Sequence, residues 1–377
     1  MIPFNKPCIV GKEQDYIQQA IAQNRKLSGN GPFGEKCRQW LEKRLGCEKA
    51  LLTPSCTHAL ELAALLVDVK PGDEVIMPSY TFVSTANAFA LRGAVPVFVD
   101  VELATMNMDV NLIDEAVTEK TKAIVIVHYA GVACDMEKVM EIAENYDLFV
   151  IEDAAQALLS TYKGKPLGTF GQFGTLSFHE TKNYTCGEGG ALLINDSHYV
   201  EQAEILQEKG TNRSQFKRGQ VDKYTWQEVG SSFLLSELNA AYLYAQLEEA
   251  DEIFHNRMKT WKRYKKQLES LRDQGIIAIQ RIPEECGHNA HMFFIKTVGE
   301  KDRSALMSYL DEQGIMAVPH YEPLHSSRAG REYGRPHGEN QFTTEEGARL
   351  LRLPLYYGME KEDVEYVVRH IQKFFQK

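Results

Sequence analysis

Two adjacent carboxylates, Glu152 and Asp153, directly follow the apolar run at residues 148–151. The run predicts a buried strand, and ligands of open α/β sheets bind at the carboxyl ends of such strands. A carboxylate buried there is costly unless a cation or a strong hydrogen-bond donor faces it. A protonated pyridine nitrogen would be such a partner, and the pairing would keep that ring an electron sink. On the carboxylates alone, a cap at a strand–helix junction is the favoured interpretation.

Lys182 comes shortly after the next predicted strand, at residues 175–178, and just before a glycine-rich turn at residues 186–190. An ammonium held among apolar groups has a lowered pKa, and the neutral amine is the form that attacks an aldehyde to make a Schiff base. At the strand end, the hydroxyl of Ser177 suits a phosphate oxygen, and the glycines let the backbone approach a ligand closely. Taken separately, a surface lysine and an ordinary turn are the simpler interpretations.

A phosphate site is predicted at Cys56 and Thr57, which stand between a predicted strand and a predicted helix. Their backbone N–H groups would be free at the helix N-terminus, a geometry that binds phosphate. An N-cap by Ser55 or Thr57 is the competing interpretation and is common. Phe82 offers an aromatic face on which a flat cofactor could stack, although core packing usually explains a lone aromatic residue.

Residues 29–34, Gly-Asn-Gly-Pro-Phe-Gly, match the GxGxxG pattern of dinucleotide sites. The context is wrong for such a site, because the preceding residues 20–27 are polar and helix-like and do not form a buried strand. No acidic residue ends a second strand at the expected distance, and no GxxxxGKS or GxxxxGKT sequence occurs. We therefore interpret this segment as a glycine-rich loop.

Between residues 49 and 196, short apolar runs alternate with helix-like segments, which predicts a mainly parallel sheet covered on both faces. Strands are predicted at residues 50–53, 74–77, 95–99, 123–127, 148–151, 175–178 and 191–194. Helices are predicted between most of them, at residues 57–67, 84–92 and 136–146.

The C-terminal part begins with residues 234–271, which read as one long helix with an apolar period of about 3.6 residues. Strands at residues 276–279, 292–297 and 315–318 and a final helix at residues 361–375 predict a smaller α+β domain. The predicted division is a large domain with the candidate site at residues 1–235, and the connecting helix with the small domain at residues 236–377.

Composition limits the classes of function. With 377 residues and 44% hydrophobic content, the chain can bury a substantial core. The formal charge of −10 argues against a nucleic-acid surface. Seven cysteines without a CxxC pair suggest no disulfide framework and no zinc site, so no metal is expected. The start does not resemble a signal peptide and no segment approaches a bilayer span, so no membrane insertion and a cytoplasmic location are expected.

The order and spacing of these stretches resemble the sugar-nucleotide aminotransferases of the DegT/DnrJ family, in the aspartate-aminotransferase superfamily. The resemblance runs nearly end to end, through IPFNKP, LSGNGPFGEKCRQWLE, LLTPSCTHALELA, PGDEVIMPSYTFVSTANA, VHYAG, VIEDAAQA, SFHETKNYTCGEGG, SSFLLSELNAAYLYAQL and HYEPLH. It implies an α/β fold type I transferase that depends on pyridoxal 5′-phosphate, with a large, mainly parallel-sheet domain and a smaller α+β C-terminal domain.

The resemblance also implies roles for individual residues. It places the Schiff-base lysine at Lys182 and the aspartate of the pyridine nitrogen at Asp153. The other cofactor residues that it implies are Gln156 near the ring hydroxyl, Ser177 as a phosphate ligand, Cys56 and Thr57 as the backbone phosphate cradle, and Phe82 as the stacking ring.

Two positions depart from the family pattern. Many relatives have Gly or Ala where this chain has Cys56, and commonly an Asn from the neighbouring subunit where it has Ser232, whose hydroxyl could replace the Asn. Arg213 is a candidate for binding the pyrophosphate of the substrate. Three further residues are candidates for the substrate cleft, although structural roles are an equal alternative for the histidines: His320, Tyr321 and His325.

The implied reaction moves the amino group of L-glutamate to C4 of a dTDP-linked 4-keto-6-deoxyglucose, with Lys182 as both covalent anchor and acid/base. The resemblance further implies a homodimer whose active sites contain residues of both chains. Three alternatives stay open: the same chemistry on another nucleotide keto-sugar, a deoxysugar dehydratase, and a non-catalytic regulatory protein that keeps the cofactor. A dehydratase of this fold would have histidine in place of Lys182.

Overall fold

The computed structural model describes residues 1–376 of the chain. The strands are β1 (Lys49–Thr53), β2 (Glu74–Pro78), β3 (Val95–Val99), β4 (Thr121–Val127), β5 (Phe149–Asp153), β6 (Thr161–Tyr162), β7 (Lys165–Pro166), β8 (Phe173–Ser177), β9 (Gly190–Ile194), β10 (Ala278–Ile279), β11 (Cys286–Gly287), β12 (Phe293–Lys296), β13 (Arg335–Pro336) and β14 (Leu350–Leu353). The α-helices are α1 (Glu13–Ala22), α2 (Pro32–Leu45), α3 (Cys56–Leu66), α4 (Val83–Ala90), α5 (Ile113–Ala116), α6 (Met136–Tyr146), α7 (Val200–Gln207), α8 (Arg213–Lys217), α9 (Glu237–Glu248), α10 (Ala250–Asp273), α11 (Glu300–Glu312), α12 (Arg328–Tyr333), α13 (Gln341–Arg349) and α14 (Lys361–Phe375).

The largest sheet has eight strands in the order β1-β9-β8-β5-β4-β2-β3-β13. Neighbouring strands from β8 to β13 run parallel, whereas β9 is antiparallel to both β8 and β1. Apolar side chains project from both faces of this sheet. In β1, for example, Ala50 and Leu52 pack into the core on one face and Leu51 packs into the core on the other. The predicted α/β architecture with a mainly parallel sheet is therefore confirmed.

All seven strands predicted between residues 49 and 196 are present, as β1 to β5, β8 and β9, and the three predicted helices are α3, α4 and α6. The prediction of one helix at residues 234–271 is wrong, because Glu249, at φ −103° and ψ 19°, separates α9 from α10. Helix α9 packs against α1 and α2, whereas α10 contacts α14 of the C-terminal part. The apolar period continues through both helices, so it does not reveal this break.

The C-terminal part has a three-stranded antiparallel sheet in the order β10-β12-β14, and its core includes apolar residues of α10, α11 and α14. The strand predicted at residues 315–318 is wrong: Ile315 and Val318 form only isolated bridges, to Ile2 and Arg352. Strand β13 joins the edge of the large sheet beside β3. Within residues 1–376, no helix is both long and apolar enough to cross a membrane.

The GxGxxG segment leads into the N-terminus of α2, and a protein carboxylate binds there. Glu237 accepts hydrogen bonds from the backbone N–H groups of Phe33 at 2.5 Å and Gly34 at 3.2 Å. A Cβ on Gly31 would lie 2.5 Å from the Glu237 carboxyl carbon, so a side chain at that position would displace this carboxylate from the helix N-terminus. The orphan amides that would bind a pyrophosphate in a dinucleotide site are thus used to join α2 to α9.

Candidate active site

A cavity of about 810 Å³ lies among the carboxyl ends of β5 and β8, the N-terminus of α3 and strand β14. Neighbouring parallel strands end at the same edge of a sheet, so the residues that follow β5 and β8 meet there. Most of the candidate residues line this cavity: Cys56, Thr57, Phe82, Asp153, Gln156, Ser177, Lys182, His320 and Tyr321.

Asp153 ends β5 and is only 6% exposed. Its Oδ2 accepts a hydrogen bond from Thr85 Oγ1 at 2.8 Å, and its Oδ1 accepts one from the backbone N–H of Ala155 at 3.2 Å. Both donors are neutral, and burial raises the pKa of this carboxyl above its ordinary value despite them. A protonated ring nitrogen against Asp153 would supply the missing positive charge.

The neighbouring carboxylate has a structural role. Glu152 is fully buried, and its Oε2 lies 2.9 Å from Nε2 of His128. Its oxygens also accept backbone hydrogen bonds from Gly168 at 2.7 Å, Phe170 at 2.6 Å and Gly171 at 3.0 Å. Because successive side chains of a strand point to opposite faces, Glu152 fixes the loop that precedes β8 while Asp153 faces the cavity.

Lys182 lies in the loop after β8, where its backbone N–H donates to the carbonyl of His179 at 2.9 Å. Its side chain lines the cavity, and burial lowers the pKa of its amine. Cys56 and Asp153 act in the opposite direction, and the positive charge of Arg352 lowers the pKa further. The neutral, nucleophilic form is therefore present at a lower pH than in a free lysine, as Schiff-base chemistry requires.

The N-terminus of α3 fits a phosphate. Ser55 caps the helix, with its Oγ accepting from the backbone N–H of His58 at 3.2 Å. The cap leaves the N–H groups of Cys56 and Thr57 without acceptors in the helix, and both residues line the cavity together with Ser177. The two interpretations of this stretch, helix cap and phosphate cradle, are thus compatible.

The glycine-rich turn lets β9 approach this helix end. A Cβ on Gly190 would lie 2.4 Å from the backbone nitrogen of Cys56 and 2.4 Å from the carbonyl carbon of Ser55. Gly189 lines the cavity itself, and Gly187 has φ +83°, in the left-handed region that favours glycine. These glycines therefore form the turn and also shape the phosphate end of the cavity.

Aromatic side chains form another wall. Phe82 is 54% exposed, and its ring centroid lies 6.1 Å from that of Tyr321. Tyr321 stacks on His320 with centroids 3.6 Å apart, and its hydroxyl accepts from Gln156 Nε2 at 2.9 Å. Burial lowers the pKa of His320 well below its ordinary value, so this imidazole is neutral at physiological pH. The free face of Phe82 suits a flat ring.

Three candidate residues do not line the cavity. Arg213 begins α8 at the surface, where its Nη1 lies 3.7 Å from the carboxylate of Glu208. Ser232 is exposed, and its backbone is bridged to Glu208. His325 was expected in the cleft, but its Nδ1 lies 2.6 Å from Ser79 Oγ, so it connects the segment before α12 to the residue after β2.

Several residues of the site were not found from the sequence. Arg352 lines the cavity from β14, and Phe4 and His291 also contribute to its wall. The one signal that could have indicated Arg352 is its position as the single charge in the apolar run at residues 350–355. Phe4 and Thr85 carry no comparable signal, because only the folded chain brings them to the site.

Together, these groups fit pyridoxal 5′-phosphate. Lys182 and Asp153 supply the amine and the carboxylate, the start of α3 and Ser177 can hold the phosphate, and Phe82 can cover the ring. The unpaired buried carboxylate and the cavity that joins it to the lysine are the observations that support this fit. The sheet and the site define a pyridoxal-phosphate-dependent enzyme of the aspartate-aminotransferase fold.

The chain belongs to the DegT/DnrJ/EryC1/StrS aminotransferase family, whose sequence profile matches residues 7–372. It is 32% identical over 375 residues to GDP-perosamine synthase of Escherichia coli O157:H7, covering 99% of this chain and 98% of that relative. The predictions of an aminotransferase and of its pyridoxal phosphate cofactor are therefore confirmed.

Solved structures agree with this assignment. The crystal structure of the aminotransferase TlmJ from Streptoalloteichus hindustanus superposes with a TM-score of 0.90 at 28% identity, covering 100% of this chain and 99% of that one. The putative sugar aminotransferase Spr1654 from Streptococcus pneumoniae, in its PMP-form, gives a TM-score of 0.89 at 25% identity with the same coverage. The similarity therefore extends over the whole chain.

Proposed function

We propose that this chain transfers the amino group of L-glutamate to C4 of dTDP-4-keto-6-deoxy-D-glucose, giving dTDP-4-amino-4,6-dideoxy-D-galactose and 2-oxoglutarate. The observation that carries the proposal is a single cavity lined by a neutralisable amine, Lys182, and an unpaired carboxylate, Asp153. The choice of sugar nucleotide rests on the resemblance of motifs such as SFHETKNYTCGEGG and HYEPLH to the enzyme that makes this amino sugar for enterobacterial common antigen.

The side chains of the cavity divide the work of the reaction. When bound, pyridoxal 5′-phosphate stabilises the negative charge that forms at the α-carbon of the donor. Lys182 holds the cofactor and, once the donor amine has released it, its Nζ accepts the proton from that α-carbon. In the return half of the cycle, the same Nζ delivers a proton to C4 of the sugar. Asp153, oriented by Thr85, keeps the negative charge that the ring nitrogen needs.

Gln156 and Tyr321 form a fixed hydrogen-bond unit beside these groups. The Oε1 of Gln156 accepts from the backbone N–H of Ala130 at 2.6 Å, which leaves its Nε2 to donate to the hydroxyl of Tyr321. That hydroxyl can therefore donate its own proton into the cavity, toward an oxygen of the cofactor or sugar. Neutral His320, stacked on Tyr321, keeps the ring in place.

The proposed enzyme is a homodimer in which Arg213 and Ser232 serve the cavity of the neighbouring subunit. Both residues are exposed and lie outside the cavity of their own chain. The segment between them carries exposed large apolar side chains, which suit burial against a second copy. These side chains are Phe216, Tyr224, Trp226 and Val229.

Subunit mixing tests this arrangement. Lys182→Ala and Arg213→Ala variants, each of low activity alone, should regain activity when mixed, because one site of each mixed dimer then has both native residues. Sedimentation should show the dimer. A lack of recovery on mixing, with dimers exchanging freely, would place Arg213 outside the shared site.

A GDP-linked 4-keto-sugar is the second candidate for the acceptor. The observation in its favour is the 32% identity over nearly the whole chain to a relative whose name specifies a GDP sugar. The chemistry at Lys182 and Asp153 would be the same for either nucleotide, so the choice depends on the part of the site that holds the base.

A spectroscopic titration tests the reaction class. Purified protein should show the visible band of lysine-bound pyridoxal phosphate, and L-glutamate should bleach it. Lys182→Ala should abolish the band and the bleaching, whereas Lys301→Ala, which changes an exposed lysine of α11, should change neither. A coloured protein that ignores every amino acid offered would refute amino transfer.

A product assay tests the substrate. The enzyme with L-glutamate should aminate dTDP-4-keto-6-deoxyglucose with a higher kcat/KM than UDP- or GDP-linked 4-keto-sugars, and NMR of the product should show the galacto configuration at C4. A preference for the GDP-linked sugar would select the second candidate, and an equatorial C4 amine would exclude the named product.

A further inference from the structure

Shortly before β12, the residues Asn289, Ala290 and His291 form a turn beside the cavity. Ala290 is fully buried at φ +51°, in the left-handed region that L side chains rarely adopt. Arg257 of α10 holds the turn, with its Nε donating to the carbonyl of Ala290 at 3.2 Å and its Nη2 to the carbonyl of His291 at 2.6 Å. Such a conformation persists only where the surrounding structure imposes it, and it often occurs at functional sites.

The side chain of Asn289 joins this turn to the segment after β5. Its Nδ2 donates to the carbonyls of Gln156 at 2.9 Å and Leu158 at 3.0 Å. Its Oδ1 accepts from the backbone N–H of His291 at 3.0 Å. The backbone is therefore fixed on both sides of His291, whose imidazole lines the cavity.

The hydrogen bonds of Asn183 determine which ring nitrogen of His291 carries the hydrogen. The Nδ2 of Asn183 donates to the carbonyl of Asn289 at 2.9 Å, and this orientation is fixed because a carbonyl only accepts. The Oδ1 of Asn183 therefore faces Nδ1 of His291, 3.0 Å away, so Nδ1 must donate. Burial lowers the pKa of His291 well below its ordinary value, so the imidazole is neutral and its Nε2 is an acceptor.

The Nε2 of His291 is available to a group inside the cavity. Within residues 1–376 it has no hydrogen-bond partner. On the other side of the ring, Asn183 is the residue directly after Lys182. After burial, the charge of Lys182 is the strongest influence that lowers the pKa of His291. Lys182 is therefore the N–H group of the chain best placed to donate to this nitrogen.

We propose that His291 is a positioning residue for Lys182, with its Nε2 accepting a hydrogen bond from the Lys182 amine whenever that amine is not bonded to the cofactor. Because an ammonium donates more strongly than a neutral amine, this bond raises the pKa of Lys182 and makes its Nζ a stronger base. The inference rests on the proposed function and deepens it, since it states how the amine is held during both proton transfers.

Two variants separate the two ends of the imidazole. In His291→Asn, the side-chain amide can take the place of Nδ1 and keep a contact with Asn183, but it does not reach the position of Nε2. In His291→Gln, the amide oxygen can accept in place of Nε2, whereas the contact with Asn183 is lost. The control His198→Asn changes an exposed histidine and should match wild type throughout.

The first readout is the pH midpoint of cofactor binding by the apoprotein, measured by stopped-flow absorbance. His291→Asn should lower this midpoint by about one pH unit or more, because a hydrogen bond to a charged group is lost. His291→Gln should keep a midpoint close to that of wild type. The other groups that act on the pKa of Lys182 stay the same in every variant: Cys56, Asp153 and Arg352.

The second readout is single-turnover bleaching of the visible band by L-glutamate. His291→Asn should slow bleaching at saturating glutamate by about 10-fold or more, because the released amine is no longer held for proton transfer. The glutamate concentration at half-saturation and the band itself should stay as in wild type. His291→Gln should recover most of the rate.

Three results would overturn the inference. A purely structural His291 predicts the reverse order, with His291→Gln losing more rate and more stability than His291→Asn. A midpoint that is unchanged or raised in His291→Asn would mean that Nε2 accepts nothing from Lys182. Independently of any variant, NMR of the imidazole nitrogens in wild-type holoenzyme should show hydrogen on Nδ1 of His291, and hydrogen on Nε2 would contradict the proposed bond.

Failure of the inference and failure of the proposed function can be distinguished. If wild-type enzyme aminates a nucleotide keto-sugar but the midpoint does not fall in His291→Asn, the function stands and the inference is overturned. If the midpoint falls as expected but wild type aminates no nucleotide keto-sugar, the role of His291 stands and the proposed function is overturned.

Discussion

Changing Asp153 and Glu152 to their amides should have opposite effects on the apoprotein. Burial raises the pKa of Asp153 in the folded chain. The stability that such a group contributes is present below its unfolded pKa and is lost as the pH rises through the folded pKa. At neutral pH the ionised Asp153 therefore destabilises the apoprotein, and Asp153→Asn should stabilise it. The hydroxyl of Thr85 can turn toward Thr81, whose Oγ1 is 2.8 Å away, and accept from the new amide.

The expected size follows from the partners of each carboxylate. Removing a buried charge with only two neutral donors should raise stability by about 1 kcal/mol, which corresponds to about 2 °C or less in Tm for a chain of this length. Loss of the charge facing the cofactor ring should weaken cofactor binding by about 2–5 kcal/mol. Glu152 accepts hydrogen bonds from three backbone N–H groups and lies beside His128. Glu152→Gln should lower stability by about 1–3 kcal/mol, because the new amide N–H group would face buried donors and stay unsatisfied.

Two assays on the same preparations measure these effects. Thermal unfolding of the cofactor-free proteins at pH 7 gives the change in stability, and absorbance titration with pyridoxal 5′-phosphate gives the affinity of the folded protein. Asp153→Asn should unfold at a higher temperature than wild type and bind cofactor more weakly. Glu152→Gln should unfold at a lower temperature, and its folded fraction should bind with nearly wild-type affinity.

Two results would refute this role of Asp153. If Asp153→Asn lowered the Tm of the apoprotein, the charge of Lys182, which lowers the pKa of Asp153, would outweigh the cost of burying this carboxylate. If Asp153→Asn bound cofactor as well as wild type, the ring nitrogen would not face this carboxylate, and the assignment of the whole cavity would fail.

Three further predictions concern the surroundings of the site. Gly190→Ala should lower the Tm and weaken cofactor binding, because the new Cβ would lie 2.4 Å from the backbone nitrogen of Cys56. Such overpacking costs about 1–3 kcal/mol of stability. Thermal unfolding measures the loss of stability, and titration with the cofactor measures the loss of affinity. Glu237→Gln should cost about 1 kcal/mol through the weaker cap on Phe33, detected as a lower Tm with unchanged cofactor affinity. The rate at which the apoprotein binds the cofactor should rise with pH, with a midpoint below 10.5, the ordinary pKa of lysine. The reason is that burial lowers the pKa of Lys182 and only the neutral amine reacts. Stopped-flow absorbance at several pH values measures this midpoint, and a midpoint at 10.5 would contradict the prediction.

The large sheet could be predicted because its signals are local. The predicted strands are short, mainly apolar runs, and most of them are separated by helix-like segments whose periodicity differs from that of a strand. The same locality explains the wrong predictions. Residues 315–318 have the composition of a strand but pair only at single residues, with Ile2 and Arg352, and the break at Glu249 depends on which cores α9 and α10 pack against.

In the site, too, some features could be predicted from neighbouring residues and others depend on distant parts of the chain. The GxGxxG pattern could be rejected as a dinucleotide site from its neighbours in the sequence, but the carboxylate that its backbone N–H groups bind, Glu237, lies more than two hundred residues away. His325 belongs to the same HYEPLH stretch as His320 and Tyr321 and is a candidate for the substrate cleft, yet the fold turns its imidazole toward Ser79. Adjacent residues can thus face different regions, and adjacency alone does not determine a site.

By itself, the amino-acid sequence determined the fold class, the position of Lys182 after β8, and the presence of a carboxylate at the end of β5, because strand patterns and the residues that end strands are local features of the sequence. The resemblance implies Asp153, and the tertiary structure shows why this carboxylate and not Glu152 faces the cavity: the side chains of β5 alternate, and Thr85, which is 68 positions from Asp153, holds it there. The tertiary structure also decided that Arg352 lines the cavity with no acidic partner among residues 1–376, held by Phe4 and by the carbonyl of Pro319, which come from other parts of the chain. A side chain becomes buried, or finds its hydrogen-bond partner, only when distant parts of the chain come together in the fold.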